Sequence, residues 1–489
     1  MRNSDVARHT VLNLFGSIVP NIIGFITVPL YFHLIGPERF GVLSIAWLFL
    51  GYFGLFDLGL GRATAFRIAA LRDAAPAERA RTFWTAVLVN IGLGAIGGAG
   101  LWLAGAVFFG RFVKVAANLR PEMIAGVPYL AAAVPVATLA GVLSGALVGR
   151  EKFLSTNLVS TISTLFFQIF PIIVAVRYGP HLPLLLCSAI FARGLALGVL
   201  MLMCHRELAR GYRPRIDRRE IRTLLNYGVW VTLAGLAAPV LIFADRFAIG
   251  AIFGAAAVAT YTVPFQVAQR IDSLPKALAT ALFPKSVPAT AAENARMSRM
   301  MTLTLASVLS FPVLVAVILL RPFLNVWVGP EIAEQAAGVG RLLLLGFWLN
   351  AFAYVPSLTL QATGRPGRVA QVLILQIPAY LLALYFGMSW FGLLGCGLVF
   401  CLRNAVDWLL LTWVAQRNFG GWHVVAMNLA LLVIGTLLVD LAPGGWAQYS
   451  GLTITALLTL ALGWSAAPEQ LKALVVARLR LWRSEAIRA

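Results

Sequence analysis

Residues 182–204 read LPLLLCSAIFARGLALGVLMLMC, and residues 205–223 continue HRELARGYRPRIDRREIRT. The first stretch is apolar throughout except for one charge near its middle, Arg193. About 20 such residues, wound as a helix, cross a hydrocarbon core of about 30 Å. The second stretch crowds Arg206, Arg210, Arg213, Arg215, Arg218, Arg219 and Arg222 into one polar run. Basic loops stay on the cytoplasmic side of a membrane, so the pair predicts a spanning helix that ends inside.

The same alternation fills the chain. Apolar spans are predicted at about 11–34, 41–66, 83–109, 123–148, 154–176, 182–204, 224–253, 256–283, 299–320, 337–363, 369–388, 390–415, 424–441 and 447–465. This is an all-α, polytopic membrane protein of about 14 transmembrane helices. A mean hydropathy of +0.85, with 60% hydrophobic and 12% charged residues, excludes a soluble domain. The net charge of +20 would suggest nucleic acid in a soluble protein. Here about 27 Lys and Arg fall to one side and about 7 to the other, so the charge is mainly an orientation signal and no nucleic-acid partner is expected. The prediction is a bacterial inner-membrane protein with both termini cytoplasmic, acting as a monomer. The first span is too long for a signal-peptide core and is expected to be retained.

Sliding the halves over each other by about 214 residues exposes an internal repeat. Asn13 falls on Asn226, Asp57 on Asp272, and Gly149-Arg150 on Gly364-Arg365. Two pseudo-symmetric six-helix bundles follow. The expected organisation is an N-lobe at 1–205, a basic linker at 206–223, a C-lobe at 224–420, two extra helices at 421–467 and an amphipathic tail at 468–489 lying on the cytoplasmic leaflet. The linker is expected to touch anionic headgroups, with a specific partner site as the alternative. Gly141, Gly145 and Gly149 predict close helix packing.

No catalytic residues are apparent. The five histidines are scattered, no Walker motif is present, and Cys187, Cys204, Cys396 and Cys401 lack partners at metal-ligand spacing, so neither a metal nor a cofactor is expected. The chemistry lies in charge within the bilayer, where each ion costs at least about 2.5 kcal/mol and must face a wet cavity or a partner. Arg193, Arg270 and Arg403 are the candidate substrate-binding residues, with Arg246, Arg62 and Lys276 assisting. Asp57, Asp245, Asp272 and Asp407 are candidates for charge pairing or for coupling to Na+ or H+. Asp272 with Lys276, and Arg403 with Asp407, are four residues apart and can form local pairs. Arg193 has no acidic neighbour within a turn. The repeat places these charges at matched positions, which predicts one shared cavity.

Asn13, Pro29, Tyr31, Gly36 and Phe40-Gly41, followed by Asp57-Leu-Gly-Leu-Gly-Arg62 and Ala63, resemble the opening of the bacterial polysaccharide flippases. These belong to the multidrug, oligosaccharidyl-lipid and polysaccharide exporter superfamily. The resemblance implies a V-shaped, two-lobed bundle that is not an enzyme and moves a polyprenyl-pyrophosphate-linked glycan for O-antigen, capsule or exopolysaccharide assembly. Membrane lipids and the polysaccharide polymerase machinery are the partners it implies. Lipid II flippases and multidrug exporters of the same superfamily are the alternatives. The former typically carry charges in the first helix, where this chain has only Asn21 and Thr27 as interior polar residues; the latter usually have twelve helices.

Overall fold

A computed structural model describes residues 3–52, 59–107, 119–224, 237–286, 290–415, 420–441, 446–469 and 472–473. Asp57, Asn226 and most of the expected tail helix lie outside the described residues. Among the described residues there is no strand. The helices are α1 (Asn3–Tyr52), α2 (Leu60–Ala70), α3 (Pro76–Val107), α4 (Arg120–Gly149), α5 (Phe153–Tyr178), α6 (Leu182–Cys204), α7 (Ala237–Ile252), α8 (Ala255–Ala268), α9 (Ser273–Ser286), α10 (Ala291–Val328), α11 (Pro330–Ala362), α12 (Pro366–Val414), α13 (Trp422–Leu441) and α14 (Trp446–Ala466). Nine of the helical stretches among the described residues are long and apolar enough to cross a membrane. The chain is a polytopic α-helical membrane protein.

Two long helices bend at one glycine: α12 holds the expected spans 369–388 and 390–415, and α1 holds the span 11–34 and the start of 41–66, whose last residues lie in α2. α1 turns at Gly36 (φ 77°) and α12 at Gly392 (φ 59°). Gly179, Gly254 and Gly329 have positive φ as well and join α5 to α6, α7 to α8 and α10 to α11. Left-handed backbone is open to glycine at no steric cost, so each of these turns needs almost no loop. The span expected at 256–283 is broken. α8 gives way to a 3-10 turn at Gln269–Asp272 before α9 starts. Pro275 explains the break: it offers no N–H and its ring crowds the carbonyl four residues earlier, at Ile271. α10 is longer than expected, with 38 residues against a predicted 299–320. A capping box starts it, with the Thr290 hydroxyl accepting from the Glu293 N–H and the Glu293 carboxylate accepting from the Thr290 N–H.

The chain divides into two compact units, Met1–Thr260 and Tyr261–Ala489. In the first, α4 packs against α2, α3 and α6 around a core that includes Leu60, Phe83, Val142, Leu143 and Cys204. α1 lies on α5, where the Tyr31 hydroxyl donates to the Gln168 carbonyl at 2.7 Å. Glu122 ties three helices at one end: it accepts two bonds from Arg39 (2.7 and 3.2 Å) and one from the Leu182 N–H. In the second unit α11 is the axis. Its most apolar window is 78% buried, against 22% for α12, which identifies it as the helix enclosed by others. α10 and α12 flank α11, and α13 and α14 pack on α10. Arg341 of α11 pairs with Asp440 of α13. The outer faces of α12 expose Leu375, Leu382 and Trp390, as lipid-facing surfaces do.

Candidate functional site

In the first unit Arg193 projects from the middle of α6 over a ring of α5, its guanidinium carbon 4.7 Å from the Phe167 centroid. This is cation–π geometry, which holds the charge without neutralising it. Arg193 lines a cavity of about 250 Å³ with Gly141 and Ser144 of α4 and Thr156, Ser160 and Ser163 of α5. The remaining wall is apolar, and among the described residues no carboxylate contributes to it. No ion pair to Arg193 exists among the described residues. A guanidinium fork beside hydroxyls, with no acid to compete, suits an anion.

The room for this cavity comes from the glycine row of α4. A Cβ on Gly145 would lie 2.0 Å from the Gly61 carbonyl oxygen, and one on Gly149 would lie 2.7 Å from that of Ala65. These two therefore seat α4 on α2, as the spacing predicts. A step of four residues rotates about 40° around a helix of 3.6 residues per turn. Gly141, two such steps from Gly149, is turned about 80° from it and lines the cavity.

The other cations of this unit are placed differently. Arg246 and Asp245 are adjacent on α7 and both buried; their charged groups approach to 3.6 Å, and the Arg246 N–H donates to Asp245 Oδ1 at 2.7 Å. Arg62 is exposed in the first turn of α2.

In the second unit Asp272 closes the 3-10 turn. It is buried and has three partners: the Asn350 amide donates to Oδ1 at 2.9 Å, the Lys276 ammonium lies 3.5 Å from Oδ2, and the Tyr354 hydroxyl shares a hydrogen bond with the carboxylate. The expected pair with Lys276 is present, joined by two α11 residues that the sequence reading did not name. Arg270 is exposed on the same turn. Arg403 and Asp407 do not meet as a local pair. The Arg403 guanidinium lies 5.5 Å from the Tyr380 ring centroid, and Asp407 accepts from the Gln376 amide at 2.8 Å. Both partners lie on the first leg of α12, so the two legs are joined by two rungs one helical turn apart. Arg403 Nε makes no hydrogen bond among the described residues.

The repeat is visible in this geometry. Phe167 and Tyr380, the rings under the two arginines, are 213 positions apart, as are the turn glycines Gly179 and Gly392. At the ends of α4 and α11, Lys152 N–H donates to Leu147 O and Arg365 N–H to Leu360 O, again at that offset. Positive φ falls on Glu151 in one and Gly364 in the other. The Gly-Arg match in the sequence is thus displaced by two residues from the structural one. The sequence reading missed Phe167, Tyr380, Gln376, Asn350, Tyr354 and the cavity hydroxyls. The signal the sequence held for the two rings is that Phe167 and Tyr380 fall on each other at an offset of 213.

The family described as "Polysaccharide biosynthesis protein" matches residues 6–287. The Shigella flexneri protein named "Putative O-antigen transporter" is 28% identical over 414 residues, covering 84% of this chain and 98% of its own length. Among solved structures, the lipid II flippase MurJ in an inward closed conformation superposes with a TM-score of 0.70 at 12% identity, covering 93% of this chain and 98% of that one. An inward-facing multidrug resistance MATE transporter of the MOP superfamily gives 0.61 at 16%, covering 86% and 98%. At these identities the two structures establish a shared fold.

Proposed function

The chain belongs to the polysaccharide biosynthesis protein family, and from that premise we propose that it is a flippase carrying a polyprenyl-pyrophosphate-linked oligosaccharide across the bacterial inner membrane for surface polysaccharide assembly. The observation that carries this reading is the acid-free cavity at Arg193. Diphosphate has several oxygens able to accept parallel bonds from a guanidinium, and the hydroxyls of Ser144, Ser160 and Ser163 add donors that tolerate changing anion geometry. Arg403 and Arg270 are the further candidate anion contacts in the second unit, with Lys276 assisting there and Arg246 and Arg62 assisting in the first. The relatives are transporters, and nothing in the reading requires bond chemistry.

The N- and C-termini are assigned to the cytoplasm from the distribution of basic residues. The lobes are assigned to 1–205 and 224–420. The carboxylates divide by their partners. Asp272 is balanced by Lys276 and held by Asn350, so it keeps structure and charge neutrality. Asp407 is held by a neutral amide and is the carboxylate placed to take up a proton or Na+. A leaflet-resolved assay of lipid-linked intermediates in a deletion strain tests the function. Intermediates should accumulate on the inner leaflet and be cleared by the restored gene; an unchanged distribution would refute the reading.

A further inference from the structure

The basic run between α6 and α7 is not a loose tether. A π-helical turn at His205–Ala209 carries it off α6, and polar contacts then fix it to the first unit. The Trp84 ring N–H donates to the Tyr212 carbonyl at 3.3 Å, the Thr85 hydroxyl donates to the Arg215 carbonyl at 3.4 Å, and the Asp217 N–H donates back to that hydroxyl at 3.0 Å. Its three acids are all engaged by cations from elsewhere: Glu207 by Lys152, Asp217 by Arg81 and Glu220 by Arg67. The Arg219 N–H, and then the Arg81 guanidinium, hold the Asp217 carboxyl below the ordinary carboxylate range. Arg206, Arg210, Arg213, Arg215, Arg218, Arg219 and Arg222 are all exposed, and Tyr212 and Ile216 are exposed among them.

The depth of this surface follows from its anchor. Trp84 and Thr85 lie where the apolar stretch of α3 begins, two turns after the helix starts at Pro76. A tryptophan at such a boundary marks the headgroup layer. We propose that residues 205–223 form a fixed platform that binds anionic phospholipid headgroups, with its arginines on the phosphates and Tyr212 and Ile216 entering the acyl boundary. The proposal rests on the membrane orientation given above and is independent of the glycan reading. Juxtamembrane arginines are drawn to an anionic membrane surface. With its acids turned to other cations, the run has no internal carboxylates left to cancel that attraction.

The test uses the full chain, purified in neutral detergent, with phosphatidylglycerol or phosphatidylcholine titrated in and bound lipid counted by native mass spectrometry. The wild type should prefer phosphatidylglycerol. A variant with Arg213→Gln, Arg215→Gln, Arg218→Gln and Arg219→Gln should lose about tenfold or more of that preference, and Arg193→Gln should keep it. Should the quadruple variant fold poorly, the two adjacent double variants should each lose part of the preference. Absence of preference in the wild type, full preference in the folded variants, or equal displacement by inorganic phosphate would overturn the proposal. Loss of glycan export by Arg193→Gln with lipid preference intact keeps this test separate from the test of function.

Discussion

Each half of the molecule sets an arginine over an aromatic ring between its fifth and sixth spans, yet the surroundings differ. Arg193 over Phe167 borders a cavity lined with hydroxyls and small side chains. Arg403 over Tyr380 sits one turn from a second rung, in which a carboxylate is bound by an amide. The backbone register is held across the repeat while the chemistry has diverged. The rings match at the repeat offset, whereas the arginines are 210 positions apart, so each half sets its charge within one turn of the matching position. In the first half the arginine faces a cavity whose described lining holds no acid; in the second an arginine and a carboxylate lie one turn apart, each with its own partner on the first leg of α12.

The largest expected effect separates the two arginines. Arg193→Ala should lower surface glycan by about tenfold or more at equal protein abundance, with Lys restoring part of it because the charge persists without the fork. Arg403→Ala should cost less. Equal loss in both, measured by complementation of a deletion strain, would break the contrast. Next comes the acid side. Asp272→Asn alone should reduce export severely, whereas Asp272→Asn with Lys276→Gln should recover most of it, since no uncompensated charge remains. Asp407→Asn should not be rescued by Arg403→Gln, because the contact of Asp407 is with Gln376. Rescue there would assign both carboxylates the same role.

A smaller effect is expected from the rings. Phe167→Leu and Tyr380→Leu each remove a cation–π contact of about 0.5–2 kcal/mol, so substrate affinity should fall several-fold for the first and little for the second. Binding of a diphosphate lipid to purified variants measures this. The smallest effect is confined to the linker on the first unit. Asp217 has a lowered pKa, so its contribution to docking is present above the ordinary carboxylate value of 3.8 and is lost as pH falls through its lower, folded value. Protection of the 212–223 amides against hydrogen exchange, taken relative to the intrinsic rate at each pH, should hold from neutral pH downward and fall only in that acid range; loss of protection near neutrality would show that another group holds the linker.

The spans, the repeat and the intramembrane charges were legible because length, hydropathy and spacing are local properties of a sequence. The pair Asp272–Lys276 was legible for the same reason. What stayed hidden was set by packing. Asn350 reaches Asp272 from 78 residues away, and no pattern on either helix announces it. Arg403 and Asp407 have the spacing of a pair, but the first leg of α12 supplies Tyr380 and Gln376 at closer quarters. The division of the eighth span was readable in principle from Pro275, which disfavours a regular helix through the turn before it. The capping box of α10 was likewise written as Thr290-Ala-Ala-Glu293 and passed over.

The glycine turns at Gly36, Gly179, Gly254, Gly329 and Gly392 have a consequence for how the surface can be altered. With the proposed orientation they all face outward, and each is closed by at most a few residues. A sugar-binding domain, an epitope tag or a phage receptor has no ledge there on which to be built. Insertions at these points must pry apart two helix ends, whereas the basic platform between α6 and α7 has chain to spare. At these five turns the scaffold has no room to diversify, whereas the basic platform offers it.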